Sequence, residues 1–185
     1  MSMEEFKIYS VTDNYIEYLR QTVLGVYSNK QDNRTHTWKY VGTVLEMHGF
    51  KYYVPMSSPK ETDYQIAGNG KVIKKSIIPI IRMTEKNGEE KELKGTLRIS
   101  HMIPVPESEL LLYDLDNEPD EDYKALVNAE AIFIRKNSDK IRNNAEIMYK
   151  QKLVNDESAG YVKSALDFVK LEEMCRNYVR PNSEG

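Results

Sequence analysis

The chain predicts an α+β fold, a curled antiparallel sheet or small barrel with helices added mostly in the C-terminal part. Three observations carry this. Short runs rich in Tyr, Val and Ile, bounded by turn residues, occupy residues 5–122. An acidic cluster closes that stretch, with Glu107, Glu109, Asp114, Asp116, Glu118, Asp120, Glu121 and Asp122. Beyond it the apolar residues recur at helical spacing as far as residue 178. At 185 residues, 40% hydrophobic and 10% aromatic, the chain suits one globular domain over 1–185. Within it, 5–122 is mainly β with one short helix, 123–178 is helical and 179–185 is a tail.

The elements follow in order. Phe6 to Val11 reads as a first strand. Thr12 or Asp13 then caps a short amphipathic helix running to about Val23, with Tyr15, Ile16, Tyr18 and Leu19 on its apolar face. Tyr27 to Thr37 is a polar loop. Trp38–Met47 and Phe50–Met56 form a hairpin about His48-Gly49. Glu61 to Lys71 reads as a loop marked by Gly68, Asn69 and Gly70. Lys75 to Met83 is a strand whose Pro79 suggests an edge or a bulge. Asn87-Gly88 turns it into Leu93–Ser100. Met102–Val105 and Leu110–Leu115 are further extended pieces. Helices are expected over Tyr123–Lys136, Ile141–Leu153 and Ser158–Tyr178, with Asn137 breaking or bending the first.

Thirteen tyrosines against four phenylalanines point to half-wet surfaces, where the ring packs and the hydroxyl stays accessible. Cys175 is the only cysteine, which excludes an intramolecular disulfide and a cysteine-rich metal site. Its place on an apolar helix face suggests a small buried hydrophobe. No signal-peptide core or membrane-length apolar run is present, so a soluble cytoplasmic protein is expected. The net charge of −3 argues weakly against nucleic acid, but its distribution matters more. A basic stretch (Lys71, Lys74, Lys75, Arg82, Lys86, Lys91, Lys94, Arg98) precedes the acidic one. A polyanion responds to such a local field, although two solvated faces of opposite sign read the same way.

The chemistry centres on Tyr52-Tyr53-Val54-Pro55-Met56-Ser57-Ser58-Pro59-Lys60. A strand-like run ends in two hydroxyls, a proline with fixed φ and a lysine. Ser57, Ser58 and Lys60 then stand at the mouth of a strand on stiff backbone, suited to binding and polarising a phosphate. An ordinary strand-ending turn has the same composition.

The hairpin from Tyr40 to Tyr52 runs directly into Ser57-Ser58-Pro59-Lys60. Met102-Ile103-Pro104-Val105-Pro106, Leu112-Tyr113-Asp114-Leu115 and Phe133-Ile134-Arg135-Lys136-Asn137-Ser138-Asp139-Lys140-Ile141 follow, and Tyr15-Ile16-Glu17-Tyr18-Leu19 precedes. This ordered set resembles the ToxN/AbiQ family, the endoribonuclease toxins of bacterial type III toxin–antitoxin systems, over residues 5 to 178. The resemblance implies an elongated relative of the Kid/MazF barrel with added helices. It implies metal-free RNA cleavage with no cofactor, and a small pseudoknotted repeat RNA as antitoxin, processed by the toxin and closed with it into a ring. Cellular and phage RNA would be substrates, in abortive infection of phage-struck cells. The family's Ser-Pro-Lys motif falls on Ser58, Pro59 and Lys60. Ser57 stands where many members carry threonine, and Lys39 matches most simply the basic residue before the central hairpin.

Cleavage of this kind drives a ribose 2′-hydroxyl onto the adjacent phosphate, leaving a 2′,3′-cyclic phosphate and a 5′-hydroxyl. It needs a base, donors for the phosphorane oxygens and an acid for the leaving oxygen. Lys60 and Lys39 offer point charges, and Ser57 and Ser58 offer hydroxyl donors. Tyr27, Lys30, Arg34 and Trp38 mix rings with cations for single-stranded bases, while Lys71, Lys74 and Lys75 add charge without aromatics. Trp38 serves equally as a core anchor, and Tyr15 and Tyr18 read as core. His48 in its turn reads as a solvent-exposed spacer, His101 as a minor acid–base candidate and His36 as a loop residue within reach of RNA. The histidines and carboxylates show no metal-ligand spacing. A noncatalytic RNA-binding module and a protein-interaction domain on the same fold are the competing readings.

Overall fold

The computed structural model describes residues 5–31 and 34–181. Among the described residues nine strands and four α-helices follow in the order β1 (Lys7–Val11), α1 (Asp13–Arg20), β2 (Lys39–Met47), β3 (Phe50–Ser57), β4 (Tyr64–Ala67), β5 (Gly70–Ile73), β6 (Ile80–Asn87), β7 (Glu90–Arg98), β8 (Ile103–Pro104), β9 (Leu110–Leu112), α2 (Glu121–Lys136), α3 (Ser138–Leu153) and α4 (Phe168–Asn177). The main sheet is antiparallel and ordered β6-β7-β3-β2-β1-β9, with β8 also on β3. That path is open between β6 and β9 among the described residues, so the expected antiparallel sheet is present and a closed barrel is not.

β3 is the strand on which the sheet turns. It pairs with β2 along its length, with β8 at Tyr52 and Tyr53, and with β7 only at Met56 and Ser57. Its side chains from Tyr52 to Ser57 are all buried because strands or helices cover both faces. The β2–β3 turn works because His48 and Gly49 both take positive φ, 55° and 82°, the two-residue geometry that matches strand twist.

α1 starts at Thr12, whose hydroxyl accepts from the Tyr15 amide at 3.4 Å. It ends at Arg20, one turn short of the expected Val23. Tyr15, Ile16 and Leu19 enter the core, and Tyr18 packs at its edge. α2 lies against β6 and β7, α3 against β2, and α4 against β8. Asn137 separates α2 from α3, and its side-chain amide donates to the Phe133 carbonyl at 2.8 Å. Here the expected boundaries are reproduced to within a few residues.

Three expectations are corrected. The segment 61–71 is not a plain loop. Glu61–Asp63 forms a 3₁₀ turn and a hairpin, β4–β5, follows about Gly68-Asn69. The strand placed over Lys75–Met83 begins only at Ile80 and runs on to Asn87, because Pro79 has no amide to donate to the ladder. The single helix over Ser158–Tyr178 is two pieces, a 3₁₀ stretch Gly160–Ser164 and then α4. Between them the Leu166 amide leaves helical pairing to donate to the Ser100 carbonyl at 3.0 Å, and Asp167 starts a fresh cap on the Lys170 amide. Residues 179–181 carry no regular structure, and 182–185 of the expected tail lie outside the described residues.

A buried carboxylate ties the last helix to the first hairpin. Glu172 accepts from the hydroxyls of Tyr52 at 2.5 Å and Tyr149 at 2.7 Å. Its other oxygen lies 3.2 Å from Nδ1 of His48. His48 is therefore not just a spacer, although much of its ring meets solvent. Cys175, half-buried on α4, has its thiol pushed up by burial. Among the described residues no helix is long and apolar enough to cross a membrane.

Candidate active site

The end of β3 forms the floor of a small cleft. Met56, Ser57 and Ser58 line it from below, Lys39 from β2, Lys94 from β7, and Arg34 and Thr37 from the loop before β2. α2 closes it with Tyr123, Leu126, Val127 and Glu130, residues one turn apart on one helical face. The enclosed space is about 50 Å³. Register accounts for the convergence, since Lys39 lies opposite Met56 on β2 and Ser57 opposite Thr96 on β7.

Lys39 is buried, with 7% exposure. Its ammonium donates to the carbonyl and the hydroxyl of Thr37, at 2.9 and 3.2 Å, and lies 5.0 and 5.6 Å above the rings of Tyr113 and Tyr123. Burial pulls its pKa below the usual lysine range, Glu118 opposes that shift and Arg34 adds to it. Tyr113 donates to Glu118 at 2.7 Å, which holds that carboxylate beside the ammonium. The ammonium stays a focused donor in a low-dielectric slot, where its field acts more strongly than in water. Ser57 is buried and Ser58 exposed, so the two hydroxyls differ in access.

Lys60 stands outside the cleft, beyond Pro59. Its backbone amide donates to Asp63 at 2.8 Å, and Asp63 in turn holds the Arg82 guanidinium at 3.0 Å. Its positive charge, after burial and Arg98, helps to push His101 down to about 4, which leaves that imidazole neutral at physiological pH. His101 stacks on Tyr27 at 4.9 Å, Tyr27 on Trp38 at 4.3 Å, and the Arg34 guanidinium caps Trp38 at 4.0 Å. Both faces of Trp38 are thus covered within the protein, and its indole belongs to the core. His36 is clamped to the start of α2, 3.1 Å from Asp120 and stacked 3.7 Å from the Tyr123 ring.

Sequence-predicted residues therefore fall into four places. Lys39, Ser57, Ser58 and Arg34 share the cleft, while Tyr27, Trp38 and Lys60 stand beside it with His101. Lys30 is exposed in the preceding loop. Lys71, Lys74 and Lys75 lie on and after the β4–β5 hairpin, where Lys71 pairs with Glu61 at 2.8 Å and sits 5.9 Å above the Tyr64 ring, so an aromatic does accompany it. The sequence reading missed Glu130, Tyr123 and Lys94. Only the helical spacing of Tyr123, Val127 and Glu130 signalled that a carboxylate would share α2's inward face.

The chain matches the family described as Toxin ToxN, type III toxin-antitoxin system, over residues 7–176. It belongs to this family. Endoribonuclease ToxN of Pectobacterium atrosepticum is 30% identical over 172 residues, which cover 93% of each chain. Endoribonuclease AbiQ of Lactococcus lactis subsp. lactis is 30% identical over 177 residues, 96% of this chain and 91% of that protein. The solved structure of a bacterial antiviral system regulated by a processed non-coding RNA superposes with a TM-score of 0.79 at 29% identity, over 94% of this chain and 99% of that one. AbiQ itself, solved as a lactococcal anti-phage endoribonuclease, superposes with a TM-score of 0.76 at 28% identity, over 94% and 97%. A ToxN-family fold thus extends over nearly the whole of this chain.

Proposed function

We propose that this chain is a sequence-selective endoribonuclease toxin that cleaves RNA to 2′,3′-cyclic phosphate and 5′-hydroxyl ends without a metal ion. Endoribonuclease activity rests on the two relatives just named, each matched over nearly its full length. The observation that carries the chemistry is the meeting of Lys39, Ser57 and Ser58 at the end of β3 under α2. Lys39 faces the developing phosphorane charge as a desolvated cation, and the two hydroxyls donate to the nonbridging oxygens. Lys60 adds positive field from outside, and Lys30 and Arg34 draw the flanking nucleotides by charge, while the rings of Tyr27 and Trp38, stacked within the protein, hold Arg34 in place. Catalysis is by positioning and electrostatics, not by a covalent intermediate.

A related structure is described as selective toxin inhibition by a non-coding RNA pseudoknot, at 26% identity. By extension the inhibitor here is a small pseudoknotted repeat RNA, processed by the toxin and closed with it into a ring. The likeness to AbiQ, described as an anti-phage endoribonuclease, supports a role in abortive phage infection, and the proposal includes a cytoplasmic location and an elongated Kid/MazF-type sheet. The test combines growth and chemistry. The unchanged chain should arrest growth when expressed without an antitoxin, and Ser58→Ala should not. Purified protein incubated with total RNA should yield discrete cuts carrying 5′-hydroxyl and cyclic phosphate ends, unaffected by chelator. Equal growth of both cultures refutes the toxin, and loss of cleavage in chelator refutes metal independence.

A further inference from the structure

Glu130 is 5% exposed and lines the same cleft as Lys39, Ser57 and Ser58. Its carboxyl lies against the backbone of β7 where Gly95 has no side chain. A Cβ there would stand 2.9 Å from Glu130 Oε2 and 3.0 Å from the Ser57 carbonyl oxygen. Gly95 is thus a cradle that the carboxyl fills, next to the strand end that carries the two serines. A buried carboxyl without a cation weakens a fold. Its place on the otherwise apolar face of α2 calls for a chemical use.

The surrounding charges leave Glu130 without an ionic partner. On α2 itself Tyr123 is an unionised phenol, with its pKa pushed up to about 12. From β7, Lys94 is engaged by Glu85 and Glu92 at 3.3 and 3.2 Å. Arg82 of β6 is held by Asp63 at 3.0 Å. From β2, Lys39 is bound to Thr37, with Glu118 as its acidic neighbour. Arg34 of the loop caps Trp38. α3 buries Ile141, Asn144, Ala145, Met148 and Tyr149, and that tyrosine is spoken for by Glu172. Burial alone pushes Glu130 up to about 8, so at neutral pH the carboxyl carries its proton.

We propose that Glu130 is the general acid of the cleft, delivering its proton to the 5′-oxygen as that oxygen leaves phosphorus. The inference rests on the cyclising cleavage proposed above. In that step the 2′-oxygen–phosphorus bond forms and the phosphorus–5′-oxygen bond breaks. The 2′-hydroxyl proton passes to solvent water. The Glu130 proton moves to the 5′-oxygen, and the carboxylate recovers a proton from solvent before the next turnover. The reversed pair is complementary: Lys39 stabilises the negative phosphorane, while the neutral acid opposite adds no anion to a site that must accept one.

The test uses two RNAs of the sequence cut in the total-RNA experiment, one with the ordinary 5′-oxygen and one with sulfur bridging at that position. A thiolate leaves without needing a proton. Glu130→Gln should slow single-turnover cleavage of the oxygen substrate by about 100-fold or more, yet cleave the sulfur substrate within a few-fold of the unchanged chain. Equal losses on both, or no loss on the oxygen substrate, would overturn the assignment. The unchanged chain gives an independent reading should the variant fold poorly. Its rate on the oxygen substrate should decline above about pH 8, the pH at which Glu130 gives up its proton, and its rate on the sulfur substrate should not. Matching profiles overturn the general acid alone, whereas failure to cut either RNA overturns the nuclease reading with it.

Discussion

Asp63 bridges the backbone of Lys60 to the side chain of Arg82. One carboxylate oxygen accepts the Lys60 amide at 2.8 Å and the other accepts the Arg82 guanidinium at 3.0 Å, with Asp63 1% exposed. The lysine of the Ser-Pro-Lys turn is thereby fixed to β6 through a buried ion pair.

Asp63→Ala should cost about 3–5 kcal/mol, because Arg82 is left charged and buried without its partner. Adding Arg82→Met should restore much of that stability. Cleavage should stay low, since the Lys60 amide still lacks its acceptor. Urea midpoints alongside single-turnover rates separate the two effects. A double variant that regains full activity would show that Asp63 does not position the turn.

Lys39→Met should lower the cleavage rate by about 100- to 1,000-fold while leaving the melting temperature unchanged or higher. A desolvated ammonium aimed at developing charge acts on the transition state, and its removal also relieves a buried charge. Lys39→Arg should not rescue the rate. The planar, delocalised guanidinium does not supply the compact point charge that the ammonium holds beside Thr37.

Glu172→Ala should destabilise the fold by about 3 kcal/mol, since it strands the hydroxyls of Tyr52 and Tyr149 in the core. Glu172→Gln should cost far less. One amide oxygen can accept both hydroxyls and the amide nitrogen can donate to His48 Nδ1. Thermal melts of the two variants measured together check the order.

Two buried groups give stability opposite slopes with pH. Glu130 rises from the usual 4.5 to about 8, so its contribution is complete below pH 4.5 and lost as pH rises towards 8. The loss is roughly 3 kcal/mol by pH 7. His101 falls from 6.5 to about 4, so its contribution is complete above pH 6.5 and lost as pH drops towards 4. Urea midpoints across this range should flatten on the alkaline side in Glu130→Gln and on the acid side in His101→Asn.

The hairpin and its turn were legible because alternation, β-branching and a His-Gly pair act locally. The same holds for the break at Asn137, between two helices of clear periodicity. Ser57 and Ser58 could be singled out because a strand end shows locally, whereas Lys39 entered only through the family resemblance. The β4–β5 hairpin escaped because its strands are only four residues long and mostly exposed, with Ile66 and Val72 facing solvent, so no buried face marks them. The split of the last helix depends on Leu166 donating to Ser100, a contact across 66 residues that no local pattern encodes. Glu130 was hidden for the same reason. Its environment comes from Gly95 and Ser57, on strands far away in the chain.

The Glu172 junction has a temporal consequence. The cleft is assembled from residues 34–130, all of which leave the ribosome before α4 is made. The β2–β3 hairpin beneath it nevertheless keeps Tyr52 satisfied only through a carboxylate on that last helix. A chain still under synthesis therefore holds every cleft residue without the latch that seats their strand, and the cutting edge is set only once α4 has been made.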